Sequence, residues 1–149
     1  MSREPPHEET TRADGRPGRG LLLEATLRLL VARIALLLIP SGRLAARLGR
    51  RDEESPRELD GPSATIAAAV RGAIRRTSRW VPWRSDCLIQ AMAARSMLER
   101  RGVPTTLYLL VRRSETTGKL EAHACLRAGG VLVTGATDPK GFEPIASFG

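Results

Sequence analysis

Two side chains of this sequence are able to perform nucleophilic chemistry together. Cys87 falls in the stretch WRSDCLIQA (residues 83–91), just before an apolar run with a helical period, so it lies in the first turn of a predicted helix. The backbone N–H groups and the helix dipole at such a position stabilise a thiolate. A small buried cysteine in an alanine-rich helix is the alternative interpretation, and position alone leaves both open.

His123 is the second of these side chains. It lies on the predicted strand LEAHACLR (residues 120–127), whose alternation places Glu121 and Cys125 on the same face as the imidazole. An exposed strand histidine is the alternative. A helix-start cysteine followed later by a strand histidine is, however, the order found in papain-like and transglutaminase-like cysteine enzymes. In that chemistry the imidazole takes the thiol proton and later protonates the leaving amine.

The elements that would position these residues come in the order of helices first and strands later. Helical patterns occupy residues 20–39, 41–49, 63–79 and 86–101. Alternating, β-rich patterns occupy residues 105–113, 120–127 and 131–135. Ser63 and Ser85 are predicted to cap the third and fourth helices, and Gly102 to end the fourth. This order predicts an α+β fold, with N-terminal helices followed by a small antiparallel sheet.

The first part of the chain divides into two segments. Residues 1–19 mix charges with Pro and Gly, so we expect a disordered arm and discount His7 within it as a catalytic residue. Residues 20–39 are strongly apolar, but charges interrupt them too often for a membrane span, and Glu24 and Arg28 are spaced as a helical surface pair. Since this helix is apolar nearly all round, the domain itself, a partner protein or lipid at a membrane interface should cover it.

The charge of the chain limits its function classes. The net charge is +8, and residues 61–113 carry ten basic and two acidic side chains. Such a field attracts nucleic acid, an anionic membrane surface or an acidic peptide, although solvated helix faces are the plainer explanation. Nucleic acid is not an expected partner, because no nucleic-acid motif is present and few aromatic residues are available for base stacking.

Cysteine and histidine usage bears on metal binding and location. The two cysteines form no CxxC, and with two histidines they argue against a structural zinc site, so we expect no metal and no cofactor. The first twenty residues are polar and no signal-peptide pattern follows, which predicts a cytoplasmic location with both thiols reduced.

Longer strings around the cysteine and the histidine resemble one known family. They are VPWRSDCLIQAMAARSMLERRGVPTTLYLLVRR, LEAHACLRAGGVLVTG and FEPIASF, all within residues 63–148. They resemble the lasso-peptide maturation proteases, transglutaminase-like proteins with a Pro-Trp, a Cys followed by Leu and Gln, a helix ending in Arg-Arg-Gly-Val-Pro, and a sheet carrying His-Ala-Trp. The resemblance implies a transglutaminase/papain-like fold, with residues 61–149 as catalytic domain and residues 20–60 as an apolar helical region with a charged loop.

The function implied by the resemblance is that of a stand-alone leader peptidase, a cysteine protease of the Cys–His type. Such an enzyme removes the N-terminal leader from a ribosomally synthesised lasso-peptide precursor, and a separate cyclase then closes the freed core peptide. In split systems a small leader-recognition protein delivers the precursor. Residues 20–39 and the basic 61–113 region are candidate surfaces for this partner and the leader, and residues 20–39 also for a peripheral membrane contact.

The resemblance assigns catalysis to Cys87, His123 and an acid on the strand after the histidine. If the hairpin turn centres near Gly129, position 135 lies opposite His123 on the same face. That position is glycine, which cannot orient an imidazole. We therefore take Asp138, the nearest downstream acid, as the third catalytic residue.

Two other acidic residues are alternatives to Asp138 as the third catalytic residue. Glu121 shares the face of His123, whereas Asp86 adjoins Cys87 but points away on a regular helix. A Cys–His pair without a third member can still act, because a thiol needs less activation than a serine hydroxyl.

Three residues are candidates for stabilising the oxyanion, and two other positions depart from the family pattern. The N–H of Cys87 is the predicted oxyanion donor, with Trp83 and Gln90 as further donors or pocket walls and simple packing as their alternative. Cys125 stands in place of the family's Trp, where it either fills space or competes with Cys87 for oxidation. Ile89 replaces a proline after Cys-Leu, and the first helical turn tolerates either residue.

Three function classes follow from these observations. The first is the leader peptidase. The second is a catalytically degenerate transglutaminase-like module that binds a peptide or the cyclase, which the glycine at position 135 supports. The third is a nucleic-acid or membrane-surface protein, which only the basic charge and the apolar helix support.

Overall fold

The computed structural model describes residues 17–135 and 141–149 of the chain. Its helices are α1 (Arg19–Leu38), α2 (Ser41–Arg47), α3 (Gly61–Thr77) and α4 (Cys87–Glu99). Its strands are β1 (Thr106–Arg113), β2 (Leu120–Ala128), β3 (Val131–Thr134) and β4 (Glu143–Phe148). Helices precede an antiparallel sheet, which confirms the predicted α+β fold. The arm predicted over residues 1–19 lies almost entirely outside the described residues.

The sheet has the strand order β3-β2-β1-β4, and every pairing is antiparallel. β2 and β3 form the predicted hairpin through Gly129, whose positive φ of 58° suits glycine in the turn. The sequence analysis did not predict β4, which pairs along β1 from Leu107↔Phe148 to Val111↔Glu143. This strand makes β1 an interior strand of the sheet.

The helices cover one face of the sheet. Alternation along β2 sends Ala124, Leu126 and Ala128 into the main core with the helices, whereas Cys125 joins a smaller cluster on the other face with Tyr108. The core-facing side chains of the helices are mostly small or aliphatic, with alanines that allow close approach. They include Ala25 and Leu29 of α1, Ala67, Val70 and Ile74 of α3, and Ala91, Ala94 and Leu98 of α4.

α1 is only half covered by the domain. It packs against α3 and α4 through a narrow side formed by Ala25, Leu29 and Ala32. Large apolar side chains on its other side are exposed, among them Leu23, Leu27, Leu30, Val31, Ile34, Leu37 and Leu38. The expectation that the domain itself covers this helix is therefore met on one side. Among the described residues no helix is long and apolar enough to cross a membrane.

Both predicted serine caps are wrong, because an aspartate precedes each helix. The carboxylate of Asp60 caps α3 by accepting the backbone N–H of Ser63 at 2.7 Å. Asp86 is the N-cap residue of α4, but its side chain makes no capping hydrogen bond. The end of α4 is as predicted, since Gly102 has a φ of 70° just beyond it.

Glu24 joins α1 to the end of α4 instead of forming the predicted surface pair with Arg28. Its carboxylate accepts hydrogen bonds from Arg101 at 2.6 and 3.0 Å, and a longer one from Arg100 at 3.3 Å. These hydrogen bonds and the charges of the two guanidinium groups hold the pKa of the Glu24 carboxyl below its ordinary value. The charge of Arg28 adds a weaker effect in the same direction. The pair thus fixes α1 across the helix that begins with Cys87.

We predict that Glu24→Gln lowers the free energy of unfolding by about 1 kcal/mol, because it weakens a bidentate pair that is only partly shielded from solvent. Because the pKa of Glu24 is lower in the folded state, the pair stabilises the fold fully at pH values above the ordinary glutamate pKa of 4.5. This stabilisation decreases as the pH falls below that value. Urea denaturation of both proteins across this pH range measures the difference.

Glu53→Gln is the matched control, because the ion pair of Glu53 with Arg50 is exposed on both sides. It should change the unfolding free energy much less. Equal losses in the two variants, or a Glu24→Gln loss that persists unchanged well into the acid range, would contradict the assigned role of the pair.

Candidate active site

Cys87 is the first residue of α4, as its position before the apolar run predicted. The chain enters this helix through the extended link 80–86, and Gln90 ties that link to the first turn. The side-chain amide of Gln90 donates to the carbonyl of Ser85 at 2.8 Å, and its backbone N–H donates to the carbonyl of Asp86 at 3.0 Å. These bonds fix the direction in which the thiol leaves the helix.

The thiol of Cys87 meets the backbone of β2. The backbone N–H of Ala124 donates to Cys87 Sγ at 3.3 Å. β3 pairs with β2 only from Leu126 onward, so this part of the β2 edge is open to the start of α4. A backbone amide that donates to sulfur can stabilise negative charge that develops on the sulfur during a reaction. A backbone donor of this kind has no signature in the sequence, which is why sequence analysis missed it.

The same contact brings His123 next to the thiol. The Ala124 nitrogen is bonded to the carbonyl carbon of His123, so covalent geometry places His123 Cα at most about 6 Å from the sulfur. The imidazole is half-buried and lies against the ring of Phe142, with 5.6 Å between centroids. The backbone of His123 therefore lies close to the thiol at the open edge of β2, and its imidazole packs on Phe142.

Burial and a neighbouring cation keep the imidazole neutral. Burial is the larger of two causes that lower the pKa of His123, and the positive charge of Arg112 is the smaller one. The guanidinium of Arg112 lies 4.4 Å from the centre of the Phe142 ring, the same ring that contacts the imidazole. A neutral imidazole is the form that accepts a proton from a thiol.

Neither alternative acid contacts the thiol through a described hydrogen bond. The carboxylate of Glu121 accepts two hydrogen bonds from Arg112, at 2.6 and 3.2 Å, and this pairing lowers the pKa of Glu121. Asp86 is exposed and lies 3.8 Å from the guanidinium of Arg84. Asp138 lies outside the described residues and stays a prediction.

The predicted register around position 135 is wrong. The pairing of β2 with β3 shifts between Leu126 and Arg127, so Leu126 pairs with Thr134. Gly135 consequently lies beside Cys125 rather than opposite His123, and a Cβ on Gly135 would collide with the Cβ of Cys125. With a φ of 118°, this position requires glycine for steric reasons. The glycine therefore carries no information about a missing acid.

Cys125 differs from Cys87 in its surroundings. It is 4% exposed and packs with Tyr108 and Leu110 on the face of the sheet away from the helices. Burial, together with the nearby Cys87, raises the pKa of Cys125 to about 12. This thiol is therefore protonated at neutral pH and fills space in the smaller cluster.

The first-turn amides of α4 suit a developing oxyanion. Asp60 caps α3 through its side chain, whereas Asp86 leaves the first turn of α4 without a side-chain cap. These amides include the N–H of Cys87 that the sequence analysis named as an oxyanion donor. Trp83 is half-buried against the core, and its indole N–H is buried without a hydrogen-bond partner in the described part of the chain.

We predict that Arg112→Gln raises the pKa of His123, because it removes the cation that opposes the imidazolium and leaves the carboxylate of Glu121 uncompensated. Both changes favour the protonated ring. An NMR titration of the imidazole in a His7→Gln background, where His123 is the remaining histidine, measures the shift.

Arg113→Gln is the matched control on the neighbouring position of β1. Its guanidinium donates to the carbonyl of Gly118, and it does not contribute to the shift at His123. A His123 pKa that stays constant or falls in Arg112→Gln would refute this electrostatic account.

Comparison with known proteins agrees with the fold. A family model for the transglutaminase-like superfamily matches residues 22–147, which includes α1 as well as the segment with Cys87 and His123. No curated protein and no solved structure is significantly similar to the chain. The matched range covers most of the sequence and all the described helices and strands except the ends of α1 and β4. The chain belongs to the transglutaminase-like superfamily, which includes cysteine proteases.

Proposed function

We propose that this protein is a cysteine peptidase that removes the leader peptide from a ribosomally synthesised lasso-peptide precursor in the cytoplasm. The observation that carries the proposal is the contact between the Ala124 N–H and the Cys87 sulfur, next to His123 and at an uncapped helix start. A nucleophile, a neutral base and backbone oxyanion donors at one sheet edge are the components of amide hydrolysis by a thiol.

In the proposed mechanism His123 takes the proton of the Cys87 thiol, and the resulting thiolate attacks the carbonyl carbon of the last leader residue. The first-turn amides of α4 stabilise the oxyanion, and the imidazolium of His123 gives its proton to the amine of the core peptide as the C–N bond breaks. His123 then takes a proton from the water that attacks the thioester. The C–S bond breaks, the leader leaves with a carboxylate, and the imidazolium returns its proton to the Cys87 sulfur. Asp138 is proposed to orient the imidazole.

The assignment to lasso-peptide maturation rests on the motifs around the site. VPW precedes the cysteine, ERRGVP ends its helix, and HAC carries the histidine on β2. These strings, in this order, resemble the lasso-peptide proteases more closely than a transglutaminase-like domain in general requires. The basic 61–113 region is proposed to attract the precursor.

The leader-recognition protein and the cyclase are the proposed partners, and the exposed side of α1 is the proposed contact for the recognition protein. Five exposed side chains on α1 repeat at alternating intervals of four and three residues: Leu23, Leu27, Leu30, Ile34 and Leu37. This spacing is that of an apolar seam that packs against another helix. Monomeric proteins rarely leave such a continuous apolar stripe uncovered.

The direct test mixes the protein with a candidate precursor peptide and a candidate leader-recognition protein, and follows the leader by mass spectrometry. We expect cleavage by wild type and a loss of at least about 100-fold in Cys87→Ala and His123→Ala. Asp138→Ala tests the third role and should reduce cleavage less than the other two.

Cys125→Ala is the control for the loss of a cysteine outside the mechanism, provided that its thermal unfolding matches that of wild type. Cleavage that survives in Cys87→Ala would exclude the proposed nucleophile. A folded wild type that does not cleave with its partner present would instead favour a peptide- or cyclase-binding module.

We also predict that a double variant of the α1 stripe, Leu27→Glu with Ile34→Glu, impairs partner-dependent cleavage by about 10-fold or more, because charges disrupt an apolar contact. Its unfolding temperature should be little changed, since both side chains are exposed at 58% and 44%. Ile145→Glu, exposed on β4, is the control. Undiminished binding of the recognition protein to the double variant would eliminate α1 as its contact.

A further inference from the structure

A cavity of about 160 Å³ lies between α3, α4 and the end of β3. Its apolar walls come from Ile74, Leu132 and Val133. Ligand sites for whole small molecules enclose about 300 to 1,000 Å³, so this cavity is sized for a single side chain. Its polar lining then decides which side chain it accepts.

One polar group in the cavity has no partner. Thr134 is 6% exposed, it lines the cavity, and its hydroxyl is buried without a hydrogen bond to any described residue. A buried hydroxyl without a partner is costly, so such a group indicates a ligand atom or ordered water at that point. The side-chain amide of Gln90, held by the Ser85 carbonyl, lies on the same cavity wall.

Two arginines on one side of α3 complete the lining. Arg71 and Arg75 lie one helical turn apart, and both border the cavity. No carboxylate borders it among the described residues. Arg71 is half-buried as a residue, and partial burial strengthens a charge-assisted hydrogen bond, so we take Arg71 as the arginine that pairs with an anion there.

Two residues of the cavity lining, Gln90 and Gly135, lie near the reacting atoms. Gln90 lies one turn beyond Cys87, about 5 Å along the axis of α4. Gly135, at the other end of the cavity, is close enough to β2 that a Cβ on it would be 3.4 Å from the carbonyl oxygen of Ala124. The thiol contacts the N–H of the same residue, Ala124.

We propose that this cavity is a specificity subsite that takes a carboxylate side chain, Asp or Glu, from one of the two peptide residues before the scissile bond. The proposal rests on the proposed peptidase function and adds its substrate class. Arg71 binds the carboxylate, the Thr134 hydroxyl donates a hydrogen bond to it, and Ile74, Leu132 and Val133 surround its methylene groups. The glutamine analogue lacks the charge and therefore binds less well.

The test uses synthetic tripeptidyl acyloxymethyl ketones with Glu or Gln at the first or second residue from the ketone and alanine elsewhere. The Cys87 sulfur forms a C–S bond to the methylene carbon as the C–O bond breaks, and the carboxylate leaves with the electron pair. Intact-mass measurement of Cys87 labelling gives the second-order rate for each probe. We expect the Glu probe at one of the positions to react about 10-fold faster than its Gln partner.

Substitutions in the cavity lining test which residues produce the preference for the Glu probe. Arg71→Gln should bring the Glu-to-Gln rate ratio close to one, and Thr134→Val should lower the ratio. Arg76→Gln, the same charge change on an exposed α3 residue outside the cavity, should preserve the ratio. A ratio of one in wild type at both positions, or a ratio that persists in Arg71→Gln, overturns the subsite.

The outcomes separate this inference from the function on which it rests. Equal labelling by Glu and Gln probes, with the leader still cleaved, removes the subsite and keeps the peptidase. A Glu preference at Cys87 without cleavage of the precursor keeps the subsite and removes the leader-peptidase assignment. If no probe labels Cys87, both are overturned.

Discussion

The site depends on one hydrogen bond, from the N–H of Ala124 to the sulfur of Cys87 at 3.3 Å. This bond can form only because β3 is short and leaves the β2 edge open where α4 begins. A longer β3 would pair with the same amide and displace the helix start. The register shift next to Leu126 and the close approach of Gly135 to Cys125 define how β3 ends at this edge.

The rest of the fold keeps α4 at that edge. Alanines on α4 and β2 let the helix lie close to the sheet, and α1 covers the opposite side of α4. Glu24 binds the last turn of α4 and its C-terminal arginines, so α1 fixes the helix at the end far from the thiol. The match of the superfamily model from residue 22 onward agrees with α1 as part of the transglutaminase-like domain.

Sequence reasoning found the parts of the site that local rules determine. A helix start at Cys87 follows from an apolar period, and a strand at His123 follows from alternation. It missed features set by tertiary pairing: β4 as a partner of β1, the amide donor of Ala124, and the register at Gly135. A symmetric hairpin centred on Gly129 gave the wrong partner for position 135. The turn contains two residues between Ala128 and Val131, and a bulge adds one more residue that no side-chain pattern reveals. The serine caps failed because an aspartate is the N-cap residue in each case, Asp60 three residues before Ser63 and Asp86 directly after Ser85.

The central claim is that His123 and the β2 edge turn Cys87 into a nucleophile. The most direct test is the rate of iodoacetamide reaction at Cys87 as a function of pH, with peptide mapping to separate it from Cys125, in wild type and in folded His123→Ala. The account predicts fast alkylation of Cys87 below neutral pH in wild type, a marked loss of this reactivity in His123→Ala, and little labelling of Cys125 in either protein. A Cys87 that reacts only as an ordinary thiol does, at alkaline pH and independently of His123, would contradict it.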